Sequence, residues 1–257
     1  MLGEPLMIAS RRSRLTRPAF DAAYDQFVRP GGFHELDSYY AISRERYFLT
    51  LGYLADLHLP SPAKVLDVGG GQFAILASKL FGDKATIGDI GDAYRAPADA
   101  AGVDFTVCNL LDDDPPAFHA AFDLVVLAEV VEHLPVPPYL ILGKIRSWLK
   151  PGGALLITTP NLFRPRNVVR MLRGRDPFDK FMMPRGGVSL GHQTEYSAEH
   201  LGWHIREAGF TLERMEYDQL GQTGFSRAAR VARTLLAPLR LRKAWREELV
   251  AIGRNPA

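Results

Sequence analysis

The sequence predicts an α/β fold, a doubly wound and mainly parallel sheet with helices on both faces, carrying an N-terminal helical extension and a C-terminal basic helix. Three observations predict it. From residue 64 onward, short apolar runs of strand length alternate with amphipathic stretches of helix length, the pattern of parallel strands joined by helical crossovers. Val65-Leu66-Asp67-Val68 passes directly into Gly69-Gly70-Gly71, as a buried strand passes into a turn whose amides open a helix. The chain is 257 residues long, 47% hydrophobic and 23% charged, which suits one large globular domain with additions and excludes a disordered chain.

Residues 1–59 form the N-terminal extension. A basic start ends at Pro30-Gly31-Gly32, and a helix is expected over 35–58, where Leu36, Tyr39, Tyr40, Tyr47, Leu51 and Leu54 recur at helical spacing. Pro60-Ser61-Pro62 stops it. The core domain spans 60–220. Its strands are expected at Lys64–Val68, Ala85–Asp89, Val103–Cys108, Phe122–Ala128, Ala154–Thr159 and Phe210–Tyr217, and its helices at Gln72–Phe81, Val136–Leu149 and Ala198–Ala208. Ser197 is the expected N-cap of the last helix, and Pro151-Gly152-Gly153 reads as a turn. Residues 161–191, rich in Arg, Pro and Gly, read as a lid inserted in the core, since loops this long in a compact domain are usually functional. Residues 221–257 form the tail, with a basic helix over 226–249 that carries Val231, Leu235 and Leu239 on one side and that Pro238 kinks or ends.

The formal charge of +2 is too small to mark a nucleic-acid binder, and no aromatic residues interleave with the arginines as in stacking platforms. No nucleic acid is therefore expected as a partner. The single cysteine, Cys108, excludes an intrachain disulfide and a multi-cysteine zinc site and fits a reducing compartment. Leu6-Met7-Ile8-Ala9 is too short for a signal-peptide core, and no apolar run approaches the roughly 18–20 residues that span a bilayer. The expected location is cytoplasmic, with peripheral membrane contact open to the basic C-terminal helix.

The ordered landmarks are VLDVGGGQF at 65–73, Ile87-Gly88-Asp89, Val107-Cys108-Asn109-Leu110, FDLVVLAEVVEHLP at 122–135, WLKPGGALLITTPN at 148–161 and EYSAEHLGWHIREAGF at 195–210. Together they resemble a class I S-adenosylmethionine-dependent methyltransferase of the small-molecule type, over residues 60–217. The resemblance implies a Rossmann-like fold with S-adenosyl-L-methionine as cofactor. It places Asp67, Gly69, Gly71, Phe73, Asp89, Ile90, Asn109, Leu110 and Glu129 around that cofactor. Asp67 and the glycine amides would meet the methionine portion. Asp89, 22 positions after Asp67 and at the end of the second strand, would accept both ribose hydroxyls, with Asp92 as the alternative. Asn109 stands where the family usually has an aspartate toward the adenine amino group, and its side-chain carbonyl can accept the same bond. Leu110 would pack beside the ring.

The resemblance also implies His192, His133 and Glu129 as catalytic candidates, and His192, Glu195, Tyr196, Asn161 and Arg164 as contacts of the acceptor. The arginines from Arg164 to Arg175, with Lys180 and Arg185, would overhang the pocket and suit an anionic or highly hydroxylated acceptor. No metal site is assigned: Asp112-Asp113-Asp114 are consecutive and point in different directions ahead of Pro115-Pro116.

The expected function is methyl transfer to a small molecule or glycan, on a hydroxyl oxygen. A non-catalytic cofactor-binding subunit acting through its basic lid and tail competes with it. So does a nicotinamide-dependent oxidoreductase, although the glycine turn lacks the full G-x-G-x-x-G spacing. Two departures from the family pattern stand out. Phe73 occupies the place of a third glycine, behind Gln72, and no last antiparallel strand is evident after Tyr217.

Overall fold

A computed structural model describes residues 10–30, 37–178, 191–219 and 241–256. Its strands are β1 (Lys64–Val68), β2 (Lys84–Asp89), β3 (Asp104–Val107), β4 (Phe122–Ala128), β5 (Leu149–Pro160), β6 (Thr211–Asp218) and β7 (Glu248–Arg254). They form one sheet in the order β3-β2-β1-β4-β5-β7-β6. The first five pair in parallel, and β7 runs antiparallel to both of its neighbours. The chain therefore turns one way from β1 to β2 and β3, then returns to the other side of β1 as β4. Such a reversal leaves a crevice at the carboxyl ends of the strands.

The helices are α1 (Arg11–Arg14), α2 (Arg17–Ala23), α3 (Asp37–Ala55), α4 (Gln72–Phe81), α5 (Arg95–Ala101), α6 (Pro138–Trp148), α7 (Pro165–Leu172) and α8 (Ala198–Glu207). The sequence of α4 explains the N-terminal extension. Phe73, Ala74, Ile75, Leu76 and Ala77 are consecutive and all buried, so this helix is apolar on every side and must be covered away from the sheet as well as toward it. Phe20, Tyr24, Val28, Tyr47 and Leu51 supply that cover. Each fully buried large side chain contributes about 1.5–3 kcal/mol relative to exposure. Buried Arg11 fastens the extension further, pairing with Asp83 and donating to the Pro60 carbonyl at 2.6 Å.

Two differences from the sequence reading have local causes. Helix α5 includes Pro97 in its first turn, a position that tolerates proline because its N–H has no partner there. Strand β5 begins at Leu149, since Pro151-Gly152-Gly153 lies within it where the pairing with β4 shifts register. Asn255 fixes that irregular stretch by donating its side-chain amide to the carbonyls of Leu149 and Lys150 at 3.0 and 3.1 Å.

The largest correction concerns the tail. Residues 248–254 form an interior strand, so the basic helix does not extend to 249 and the sheet does have its antiparallel member. Leu249, Val250, Ala251 and Ile252 are buried as a continuous run, covered on both faces. No alternation marks such a strand, which is why its sequence passes for the end of a helix. Residues 226–240 of the expected basic helix, and Lys180 and Arg185 of the expected lid, lie outside the described residues. Among the described residues, no helix is long and apolar enough to cross a membrane.

Candidate active site

The crevice opens where β1 meets α4. Asp67, one residue before the end of β1, is buried, and its Oδ2 accepts the backbone N–H groups of Phe73 and Ala74 at 2.9 and 3.1 Å. One carboxylate thus ties the strand to the first turn of the helix and holds the glycine turn between them. Burial pushes the Asp67 pKa up to about 6, against the pull of those amides. Gly69 and Gly71 have φ of 84° and 97°, the left-handed region that favours glycine. A Cβ on Gly71 would lie 2.7 Å from Ile87 Cδ1, so the turn also needs glycine for space.

Asp89 ends β2 as expected and accepts the Gly91 N–H at 3.3 Å; burial raises its pKa. Ile90 follows it and is 72% exposed. Asn109 turns its Oδ1 onto the Leu111 N–H at 3.1 Å, shaping the loop after β3. Leu110, expected beside the adenine, is buried in a cluster with Leu66, Val68 and Cys108. Phe73 is buried with its ring centroid 5.0 Å from that of Tyr47.

Phe73 and Tyr47 line one wall of a cleft of about 250 Å³, with Asp67, Gly69, Gly70 and Tyr94. Arg46, Glu129, His133 and Thr158 line the other part. Glu129 leaves β4 with φ of 59°, a left-handed conformation that costs a non-glycine residue about 1–3 kcal/mol and persists only where its surroundings fix it. Here the Glu129 N–H donates to the Thr158 carbonyl at 2.9 Å, its Oε1 accepts the Thr158 hydroxyl at 3.0 Å, and its Oε2 lies 3.2 Å from Arg46 Nη1.

Behind this wall sits buried Glu132. Its Oε2 accepts the Thr159 hydroxyl at 2.9 Å, while its buried Oε1 has no hydrogen-bond partner. Burial and then the charge of Glu129 keep its pKa well above the ordinary carboxylate range. His133 places Nδ1 2.5 Å from the Gly191 carbonyl. A carbonyl only accepts, so Nδ1 carries the proton and Nε2 keeps a lone pair. Burial lowers the His133 pKa.

His192 meets His133 edge to face at 5.0 Å between centroids and sets its own Nδ1 2.8 Å from Glu195 Oε1. Glu195 also takes Arg164 and the Asn167 amide, the latter at 2.6 Å. Burial alone would raise the Glu195 pKa, but the His192 bond, the Arg164 charge and the Asn167 bond together lower it.

His133 and His192 therefore come together, as do Glu129 and the cofactor turn. The other expected acceptor contacts are used within the protein. Asn161 is 0% exposed and donates to the carbonyls of Ala244 and Arg246 at 2.9 and 2.8 Å, which fastens the approach to β7. Glu195 and Arg164 satisfy each other, and Tyr196 is buried against His204.

Residues that the sequence reading did not place in the site are Arg46, Tyr94, Thr158 and Glu132, together with Glu248. Glu248 is buried on β7, and its pKa is raised well above the usual range by burial and then by the charge of Glu129. Glu132 alone had a local signal, as an acid beside His133 at a strand end.

A family model described as a methyltransferase domain matches residues 36–214. The chain belongs to that family. Its cofactor is S-adenosylmethionine, and the residues present suit it: a glycine turn with no room for side chains, an acidic side chain near the carboxyl end of each of β1 and β2, and an aromatic wall.

Solved structures agree at the level of fold. An S-adenosylmethionine-dependent methyltransferase from Mesorhizobium loti is 18% identical with a TM-score of 0.52, covering 76% of this chain and 93% of its own. The geranyl diphosphate C-methyltransferase of Streptomyces coelicolor is 13% identical at 0.55, over 80% and 79%. The [4+2]-cyclase SpnF is 18% identical at 0.53, over 99% of both chains. One fold thus carries different reactions, and the reaction has to be argued from the site. No curated protein sequence matches this chain.

Proposed function

We propose that this methyltransferase-domain protein methylates a hydroxyl oxygen of a small molecule or sugar. S-adenosylmethionine supplies an activated methyl on a sulfonium, so the protein has chiefly to align the acceptor and exclude water. In this reading Asp67 and the amides of Gly69 and Gly71 hold the methionine portion. Asp89 accepts the ribose hydroxyls, with Ile90 and Asn109 flanking the adenine.

The observation that carries the acceptor class is the polar wall formed by Glu129 and His133 within the cofactor cleft. Glu129 is fixed by Arg46 and Thr158, and His133 has its Nδ1 proton committed to Gly191, which leaves lone pairs to receive a hydroxyl. Positioning of this kind is worth about 7–11 kcal/mol, and proton acceptance about 10²–10⁴ in rate.

The test is a mass-spectrometric screen of hydroxylated acceptors with the full chain and S-adenosylmethionine. The expected result is one added methyl on oxygen, with His133→Ala lowering kcat at least about a hundredfold and leaving cofactor affinity within a few-fold. Methylation only of carbon or nitrogen acceptors would overturn the reading.

A further inference from the structure

Three ligand-type atoms of Glu132, His133 and His192 lie within 4.8 Å of one another. Each of the three side chains has one polar atom committed within the protein and one left over. The Nδ1 atoms of both histidines are committed, to the Gly191 carbonyl at 2.5 Å and to the Glu195 carboxylate at 2.8 Å, so the lone pairs remain on Nε2. Glu132 gives Oε2 to Thr159 at 2.9 Å, and its buried Oε1, 3.9 Å from His133 Nε2, has no hydrogen-bond partner. Leaving a charged-type oxygen buried and unpartnered is costly unless something else satisfies it.

We propose that Glu132, His133 and His192 bind a divalent first-row transition ion, of the zinc or manganese kind, at the wall of the cofactor cleft. The donor set of two imidazoles and one carboxylate selects that class over magnesium or calcium, which prefer all-oxygen shells. The surrounding bonds are those that orient metal ligands: a carbonyl and a carboxylate on the far ring nitrogens, and a hydroxyl on the far carboxylate oxygen. Glu195 is itself clamped by Arg164 and Asn167, so His192 is held by a rigid support.

Charge argues the same way. Glu132 and Glu248 are buried beside the charge of Glu129, with the Arg46 guanidinium near both, and a cation among them would relieve that crowding of carboxyl groups. Bonds of about 2.1 Å place ligand atoms about 3.0–3.4 Å apart on one ion. The side chains would therefore close by about 1 Å on binding.

His133 lines the cleft, so the ion would face the acceptor. This part rests on the hydroxyl reading. Bound to the ion, with His133 Nε2 engaged as a ligand and no longer the proton acceptor, an acceptor hydroxyl would release its proton more readily to Glu129 or to water. The oxygen keeps its electron pair and forms the new carbon–oxygen bond as the carbon–sulfur bond breaks, that pair passing to sulfur.

The test is a titration of the full, chelator-treated chain with Co²⁺, followed by its visible d–d absorption and by competition with Zn²⁺. One Co²⁺ per chain, displaced by Zn²⁺, is expected. His192→Ala and Glu132→Gln should each weaken binding at least about tenfold, while His200→Ala, an exposed histidine outside the cluster, leaves it unchanged. S-adenosylmethionine affinity, measured on the same samples, verifies that the His192→Ala chain is folded. A wild-type chain that binds no Co²⁺, or a folded His192→Ala chain that binds it as tightly, overturns the proposal. The titration contains no acceptor, so failure of the hydroxyl reading would show only in the methyl-transfer screen.

Discussion

Asp67 is pulled two ways, by burial that favours its neutral form and by the amides of Phe73 and Ala74 that favour its charged form. Burial wins, and the folded-state pKa of about 6 lies well above the 3.8 of an ordinary aspartate carboxyl. The group's contribution to stability is therefore full below about pH 4 and is lost as the pH rises through 6, by roughly 3 kcal/mol in all. Urea unfolding of wild type and Asp67→Asn across pH 4–7 should show the difference between the two shifting by that order, the amide oxygen of asparagine still accepting both N–H groups. A constant difference across the range would show that Asp67 does not titrate there.

Asp67, Gly69, Gly71 and Asp89 are legible in the sequence because strand, turn and helix are contiguous and each residue acts within a few positions of itself. Arg46 and Glu248 are not legible. They reach Glu129 from opposite ends of the chain, and nothing local in either sequence encodes that meeting.

At the scale of elements, the residues expected to touch an acceptor turn out to join α7, α8 and the loop before α8. Arg164 precedes α7, Asn167 lies within it, and both converge on Glu195, two residues before the Ser197 cap of α8. A buried carboxylate that loses its guanidinium is left undercompensated, which costs about 3–5 kcal/mol for an isolated pair. Arg164→Met should therefore lower stability by about 3 kcal/mol, read from the denaturation midpoint, and Arg164→Met with Glu195→Gln should recover more than half of that. Equal losses in the single and double variants would show that the pair is not the relevant interaction. The helix α8 and its cap follow from the sequence, Ser197 Oγ accepting the His200 N–H at 3.1 Å. The destination of Glu195 does not, because a buried carboxylate and a pocket carboxylate have the same local sequence.

At the scale of the whole molecule, the last strand in chain order, β7, lies inside the sheet. Strand β7 separates β5 from β6 and pairs with both along their lengths. It carries Glu248 to the site, and Asn255 beyond it fixes the start of β5. A chain ending at Glu247 should lose its cooperative thermal transition; retention of one near the wild-type temperature would mean that β7 is dispensable. The α/β architecture was legible because five parallel strands announce themselves as apolar runs. The closing strand was not, since it too is an unbroken apolar run and follows a long basic stretch.

We infer that S-adenosylmethionine sits in the cleft where β1, β2 and β4 end. Calorimetric titration of the cofactor into wild type and Asp89→Ala tests it most directly. One cofactor per chain is predicted, with the variant at least about tenfold weaker, since losing even one of the two hydrogen bonds to the Asp89 carboxylate costs that much. Absence of binding to wild type, or equal affinity in the two chains, would contradict it.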